Sequence, residues 1–243
     1  MDKSILVTSR VAKKAAAFVA AALLLVGARS ASADLISLSL GQTVGLSDLI
    51  ANGDSIQIGD KIFSEFSVDG EINSSAVVIK AIQDLNGYGI SIRGGFFAFG
   101  NDVTDFRFEF AVEVAPESSQ YISDVHLRFN GAVVGNSFAQ VVEQIFDGGG
   151  NPIGNLLGQI SVNNPPQKLE DTFYLATPLK KLYIQKDVLL VSDLEAHKRV
   201  GQDFSYSSIS IIDQTFSQIP EPSTVVLVAA GLLGVAMTAR RRS

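Results

Sequence analysis

Thr104-Asp105-Phe106-Arg107-Phe108-Glu109-Phe110-Ala111-Val112-Glu113-Val114-Ala115 is the most regular stretch of the chain. Phe106, Phe108, Phe110, Val112 and Val114 fall on one side of a period-two pattern, and Arg107, Glu109 and Glu113 on the other. Successive side chains of a strand point to opposite faces, so this is a strand with one buried and one wet face, as antiparallel sheets have. Tyr121 to Asn130 repeats the pattern, with Val125, Leu127 and Phe129 inward against Asp124, His126 and Arg128 outward. The Pro116-Glu117-Ser118-Ser119 connection between them predicts two neighbours in one sheet.

Working outward, further strands are predicted over Leu35–Leu40, Ser55–Ile58, Lys61–Val68, Ala76–Ile82, Gly89–Arg93, Phe96–Phe99, Phe138–Phe146, Ile153–Val162, Asp171–Ala176, Lys181–Val191 and Tyr206–Phe216. Asn52-Gly53, Asp69-Gly70, Asn86-Gly87 and Asn130-Gly131 supply turns that need positive φ. A single short helix is expected near Leu46–Ala51, capped by Gly45 or Ser47. Many strands without intervening long helices predict an all-β fold, an antiparallel β-sandwich of jelly-roll-like type, over residues 34–216.

The two ends are a different kind of sequence. Lys3, Arg10, Lys13 and Lys14 precede the apolar stretch Ala15–Ala28, and Ala31-Ser32-Ala33 has the small residues of a cleavage site. Residues 1–33 therefore read as a signal peptide for Sec-type export, cut after Ala33. At the other end, residues 217–222 form a proline-stiffened spacer, and Ser223–Ala239 is uncharged over 17 residues. As a helix it reaches about 25 Å, the lower end of what crosses a bilayer. Arg240, Arg241 and Arg242 in the tail 240–243 then act as a basic stop on the cytoplasmic side, leaving the β-domain outside.

Removing the ends changes the charge balance. Residues 34–219 hold 11 Lys and Arg against 23 Asp and Glu, a formal charge of −12. Such a surface repels phosphate backbones, so no nucleic-acid partner is expected. There is no cysteine, hence no disulfide, thiolate site or cysteine nucleophile.

Candidate chemistry in the body is sparse. His126 and His197 are the only imidazoles, no Gly-x-Ser-x-Gly elbow accompanies them, and both read as solvated surface residues. Glu109 and Glu113 stand about 13 Å apart along one strand, too far for a glycosidase pair. Phe96, Phe97 and Phe99 read as core and edge packing. Asp102, Asp105 and Asp147 lie in loops whose oxygens could serve calcium, although Asp, Asn and Gly are also the ordinary residues of turns. No cofactor and no enzymatic activity are expected. The body is read as a structural or adhesive domain, with a calcium- or polysaccharide-binding module as the alternative and a hydrolase as a remote one.

Pro220-Glu221-Pro222, the apolar run behind it and the terminal arginines together resemble the PEP-CTERM sorting signal of exported bacterial proteins. The resemblance implies that an exosortase, a membrane transpeptidase, recognises the motif at the inner membrane. It also implies delivery to the envelope, surface or matrix, often beside exopolysaccharide. Gly59–Ser67, Gly94–Phe99, the strand ending at Val114, Ala139–Phe146 and Gln214–Phe216 are similar to a recurrent ectodomain of such proteins, one without an assigned activity.

Overall fold

The computed structural model describes residues 33–70, 72–161, 167–193 and 204–220. Ala31 and the rest of the expected signal segment before Ala33, His197, Glu221 and Pro222, the apolar run 223–239 and Arg240–Arg242 lie outside the described residues. Among the described residues, no helix is long and apolar enough to cross a membrane.

In chain order the elements are β1 (Leu35–Ser37), β2 (Thr43–Gly45), helix α1 (Leu46–Asn52), β3 (Ser55–Ile58), β4 (Lys61–Gly70), a 3-10 turn (Ser74–Ala76), β5 (Val78–Asp84) and β6 (Gly87–Phe99). There follow β7 (Val103–Val114), β8 (Gln120–Val134), β9 (Asn136–Asp147), β10 (Pro152–Ser161), β11 (Glu170–Leu179), β12 (Lys181–Asp193) and β13 (Tyr206–Pro220). They form a first sheet in the order β1-β3-β4-β7-β12-β9-β10 and a second in the order β11-β8-β13-β6-β5-β2. Every named pair is antiparallel except β1 with β3. The all-β sandwich is thus the observed fold.

The inward residues of the two sheets meet in one core. Phe106, Phe108, Phe110, Val112 and Val114 of β7 are buried, as are Val125, Leu127 and Phe129 of β8. Phe63 of the first sheet touches Phe216 of the second, ring centroids 6.0 Å apart, and Phe96 meets Phe106 across the same gap at 4.8 Å. Tilted rings at such distances add to the apolar area they bury. Helix α1 starts at the extended Gly45 without a side-chain cap, ends at left-handed Gly53, and buries Leu46 and Leu49.

Four expectations need correction. The first is that β7 and β8 are neighbours in one sheet: they lie in different sheets, and the Pro116–Ser119 connection arches across the edge of the sandwich. It is tied down by Ala115 N–H donating to the Asp60 carbonyl at 2.8 Å and by the Lys180 ammonium donating to the Ser118 carbonyl at 2.7 Å. Alternation states which face of a strand is buried and not which strand lies beside it. Secondly, the two predicted strands 89–93 and 96–99 are one strand, β6, whose pairing with β13 shifts register around Gly94 and Gly95. Thirdly, β2 escapes a reading based on alternation because it has only three residues, Ala76 belongs to the 3-10 turn, and Asn130-Gly131 is no turn but continues β8 without a positive φ at Gly131. Finally, β13 runs four residues past Phe216, pairing Gln218, Ile219 and Pro220 with Ile122, Tyr121 and Gln120. The proline stands at the strand end, where its missing N–H breaks no ladder.

Candidate binding face

The register of four strands arranges the outer face of the second sheet in rows. Glu170 of β11, Arg128 of β8, Asp213 of β13 and Ser91 of β6 form one row; Thr172, His126, Thr215 and Gly89 form the next. Tyr174, Asp124 and Ser217 form a third. The Arg128 guanidinium donates to Asp213 Oδ2 at 2.8 Å, and Thr215 Oγ1 to Asp84 Oδ2 at 3.3 Å. Over these rows lies a hollow of about 530 Å³ lined by Asp84, Asn86, His126, Thr172, Tyr174 and Asp213. A second hollow of about 760 Å³ continues from it through Arg128 and Glu170 to Asn130 and Lys168.

His126 is held rather than solvated, a correction to its reading as a free surface residue. Its side chain is 15% exposed; Nε2 lies 2.7 Å from Asp124 Oδ1 and 3.1 Å from Ser217 Oγ, and Nδ1 lies 2.9 Å from Thr172 Oγ1. Edge strand β11 covers it, and nothing in the local sequence of β8 announces that neighbour, which arrives some forty residues later. A hydrolytic relay places the acid on one ring nitrogen and the nucleophile on the other. Here Ser217 shares the nitrogen that faces the acid. The Thr172 hydroxyl faces the other, so Asp124, His126 and Thr172 stand in the order of such a relay.

Aromatic rings stand on the same outer face. Tyr174 is 73% exposed beside the first hollow. Phe96 is buried as expected, but Phe97 is 63% and Phe99 59% exposed, which corrects their reading as packed residues. Beyond the Gly94-Gly95 irregularity Phe97 and Phe99 take the outward parity of β6, opposite Ser208 and Tyr206. Phe204, 47% exposed, stacks on Tyr206 with centroids 5.9 Å apart. Eleven residues of β13 separate the Ser217 and Tyr206 rows, so rings border a strip about 35 Å long.

The loop carboxylates do not converge. Asp105 pairs with Leu189 and Asp147 with Leu182 along the same strand β12, seven residues and about 23 Å apart. Asp102 Oδ1 accepts from Val103 N–H at 2.9 Å. Asp147 Oδ1 accepts from Gly149 N–H at 2.8 Å and Asn151 N–H at 2.9 Å, while Oδ2 accepts from the Asn151 amide at 3.0 Å. The Asn151 side chain and backbone hold the Asp147 carboxyl below its usual range. Both its oxygens thus serve a turn. Among the described residues no group of three or more His, Asp or Glu side chains is placed to hold a metal ion. Glu109 accepts from the Ser67 hydroxyl at 3.2 Å on the outer face of the first sheet.

Pro220 lies at the very end of β13, and Ala33 just before β1. The last strand residues are latched to the β3–β4 hairpin: Asp60 Oδ2 accepts from the Gln218 amide at 2.6 Å and from the Ser118 hydroxyl at 3.0 Å. Burial alone would raise the Asp60 carboxyl, but the Gln218 amide, the Lys61 ammonium and the Ser118 hydroxyl together hold it below the usual carboxylate range. A depressed folded value contributes stability that is present above the unfolded value and lost as pH falls through the folded one. Asp60→Ala is expected to cost about 2 kcal/mol at neutral pH, the scale of hydrogen bonds to a charged group. The deficit should shrink below about pH 4, where the native carboxylate is itself being protonated. Urea melts at pH 7 and pH 3, with hydrogen exchange over 217–220, measure both; a deficit independent of pH would reject the latch.

Residues 218–242 match the PEP-CTERM protein-sorting motif. No curated protein matches the chain. Among solved structures the chain is similar to TmCBM61 in complex with β-1,4-galactotriose, at 12% identity over 63% of this chain and 90% of that one, TM-score 0.31. It is also similar to TmCBM27, a carbohydrate-binding module with specific mannan recognition, at 11% identity over 72% and 96%, TM-score 0.29. A third similarity is to the C-terminal domain of a chitobiase from Bacteroides fragilis, at 12% identity over 68% and 99%, TM-score 0.28.

Proposed function

We propose that this chain, which carries the PEP-CTERM sorting motif and is thereby an exported protein sorted to the envelope or surface, is an adhesive module. Its β-sandwich holds polysaccharide on the outer face of the second sheet and performs no catalysis. Sec-type machinery exports it through the signal at residues 1–33, the apolar run 223–239 holds it transiently in the inner membrane, and an exosortase processes it at Pro220-Glu221-Pro222.

The observation that carries the binding reading is Tyr174, 73% exposed on the wall of a hollow whose polar groups are already fixed by one another. A phenol ring left in water on a strand gains by stacking on the apolar face of a sugar ring, and its hydroxyl stays wet meanwhile. Arg128 with Asp213 and His126 with Asp124 stand within the same rows, so hydroxyls laid there meet groups that lose little freedom on binding. The strip is long, shallow and open, which suits a polymer chain better than a small molecule. A formal charge of −12 over residues 34–219 favours neutral or cationic polymers over anionic ones.

Affinity electrophoresis of the full chain through gels containing neutral, cationic or anionic polysaccharides tests this. Retardation by a neutral or cationic polymer is expected, weakened about tenfold by Tyr174→Ala, the loss of one stacked ring. The melting temperature should not change, because the ring is exposed. An unretarded native chain, or a Tyr174→Ala variant retarded equally, would count against the reading, and reducing ends released from the polymer would replace it with hydrolysis.

A further inference from the structure

Three polar side chains occupy core positions where the alternation of their strands calls for apolar ones. Lys186 stands in β12 between Ile184 and Val188, Glu143 in β9 between Val141 and Ile145, and Gln214 in β13 between Ile212 and Phe216. All three are fully buried. Lys186 and Glu143 are direct cross-strand partners in the first sheet, whereas Gln214 reaches them from the second. The Lys186 ammonium donates to Glu143 Oε2 and to Gln214 Oε1. Glu143 Oε1 and Gln214 Nε2 have no partner, although both are buried.

As a simple ion pair this cluster is poorly arranged. A buried pair is held only when its remaining donors and acceptors are satisfied, and here two are not. The arrangement does have the parts of an acyl transfer. An amine touches the oxygen of a carboxamide, so the carbonyl carbon lies one bond beyond its present partner, and a carboxyl group touches the amine. Water is excluded, so hydrolysis does not compete.

We propose that Lys186 and Gln214 become joined by an intramolecular isopeptide bond, with Glu143 as the proton carrier. Lys186 gives up a proton to Glu143 and attacks Cδ of Gln214 as the free amine. The Nζ–Cδ bond forms, and the carbonyl electrons move onto Oε1 beside the protonated Glu143. The carboxyl then passes a proton from Nζ to Nε2, the carbonyl re-forms, the Cδ–Nε2 bond breaks and ammonia leaves. Amine plus carboxamide gives secondary amide plus ammonia, with no oxidant, metal or external reactant.

The titration of the two partners favours this direction. Burial raises the Glu143 carboxyl above its usual range, against the pull of Lys186 and of the Gln214 side chain, and burial lowers the Lys186 ammonium against the pull of Glu143. Desolvation thus favours the neutral acid and the neutral amine, the forms that the reaction uses. The bond would tie β12 of one sheet to β13 of the other, in a chain with no cysteine to do so. β13 is also the strand that runs into the sorting segment, so a load on that end would reach the first sheet through a covalent link.

Tryptic mapping of the full chain by mass spectrometry tests for the bond directly. A linked species is expected that joins the Lys186 and Gln214 segments, is lighter than their sum by one ammonia, and shows no cleavage after Lys186. Glu143→Gln should yield the two segments unlinked at full mass, and on boiling in detergent it should migrate more slowly than the native chain. Cleavage after Lys186 in the native chain, with the Gln214 segment at full mass, would overturn the proposal and leave a buried ion pair. Should Glu143→Gln fail to fold, the native map alone separates the linked chain from the unlinked one.

Discussion

Gly89→Ala is expected to destabilise the domain by about 3 kcal/mol, the upper part of the range for overpacking a well-filled site. Gly89 lies in β6 opposite Thr215, near the middle of the second sheet. A Cβ there would stand 1.9 Å from the Gln214 carbonyl oxygen and 2.8 Å from Thr215 Cα, both backbone atoms of β13. No rotamer change relieves such a contact, so the two strands must separate at a point where β13 is also paired to β8. Gly95→Ala in the same strand is the control: its Cβ meets nothing within 4 Å. That variant should fall within about 0.5 kcal/mol of the native chain, as surface changes do. Chemical denaturation of the full chain compares them, and equal midpoints for the two variants would contradict the packing described.

How far the sequence reaches can be judged from particular residues. The burial of Phe106 through Val114 and of Val125, Leu127 and Phe129 follows from parity alone, because a strand in a two-layer fold has one face to hide. Parity also puts Lys186, Glu143 and Gln214 in line with their apolar neighbours, so the buried cluster is legible once polar residues at inward positions are treated as informative. Sheet membership is not legible. The arch from β7 to β8 and the pairing of β8 with β11 and β13 are decided by packing between segments far apart in the chain, and local periodicity is blind to it. The binding face shares that limit: Tyr174, Arg128 and Asp213 come from β11, β8 and β13 and meet only through register. Phe97 and Phe99 keep the outward parity of Ser91 and Arg93 across Gly94-Gly95, so their exposure is open to alternation; it is β13 whose parity changes at the irregularity, from Ser207 and Ile209 inward to Ile212 and Gln214 inward.

The sorting segment and the fold are closer than a spacer would place them. The motif match begins at Gln218, whereas β13 stays paired through Pro220, so the motif's first three residues belong to a sheet. An enzyme that reads Pro220 in an extended groove must take it from beside Gln120 or accept it at the rim of the domain. The Asp60 latch on Gln218 therefore ties the first residue of the motif to the β3–β4 hairpin.

Glu143→Leu is expected to lower stability by about 3–5 kcal/mol, the cost of removing one partner of a buried pair. The substitution leaves the fully buried Lys186 with Gln214 Oε1 as its remaining partner, in surroundings that already lower its ammonium through desolvation. The triple variant Glu143→Leu, Lys186→Met, Gln214→Leu removes the charge and both orphaned atoms, Glu143 Oε1 and Gln214 Nε2, at similar side-chain volume. Replacing a buried pair by apolar side chains is neutral or stabilising relative to breaking it, so the triple variant should stand at least about 2 kcal/mol above the single one. Neither variant can form a Lys186–Gln214 link, so their difference measures the orphaned Lys186 and Gln214 together, and the gap from the native chain to the triple variant measures what the intact cluster adds. Urea denaturation supplies both numbers. A triple variant no more stable than Glu143→Leu would mean that Lys186 finds water or another acceptor once its partner is gone, and the core around β12 would then be wetter than its burial implies.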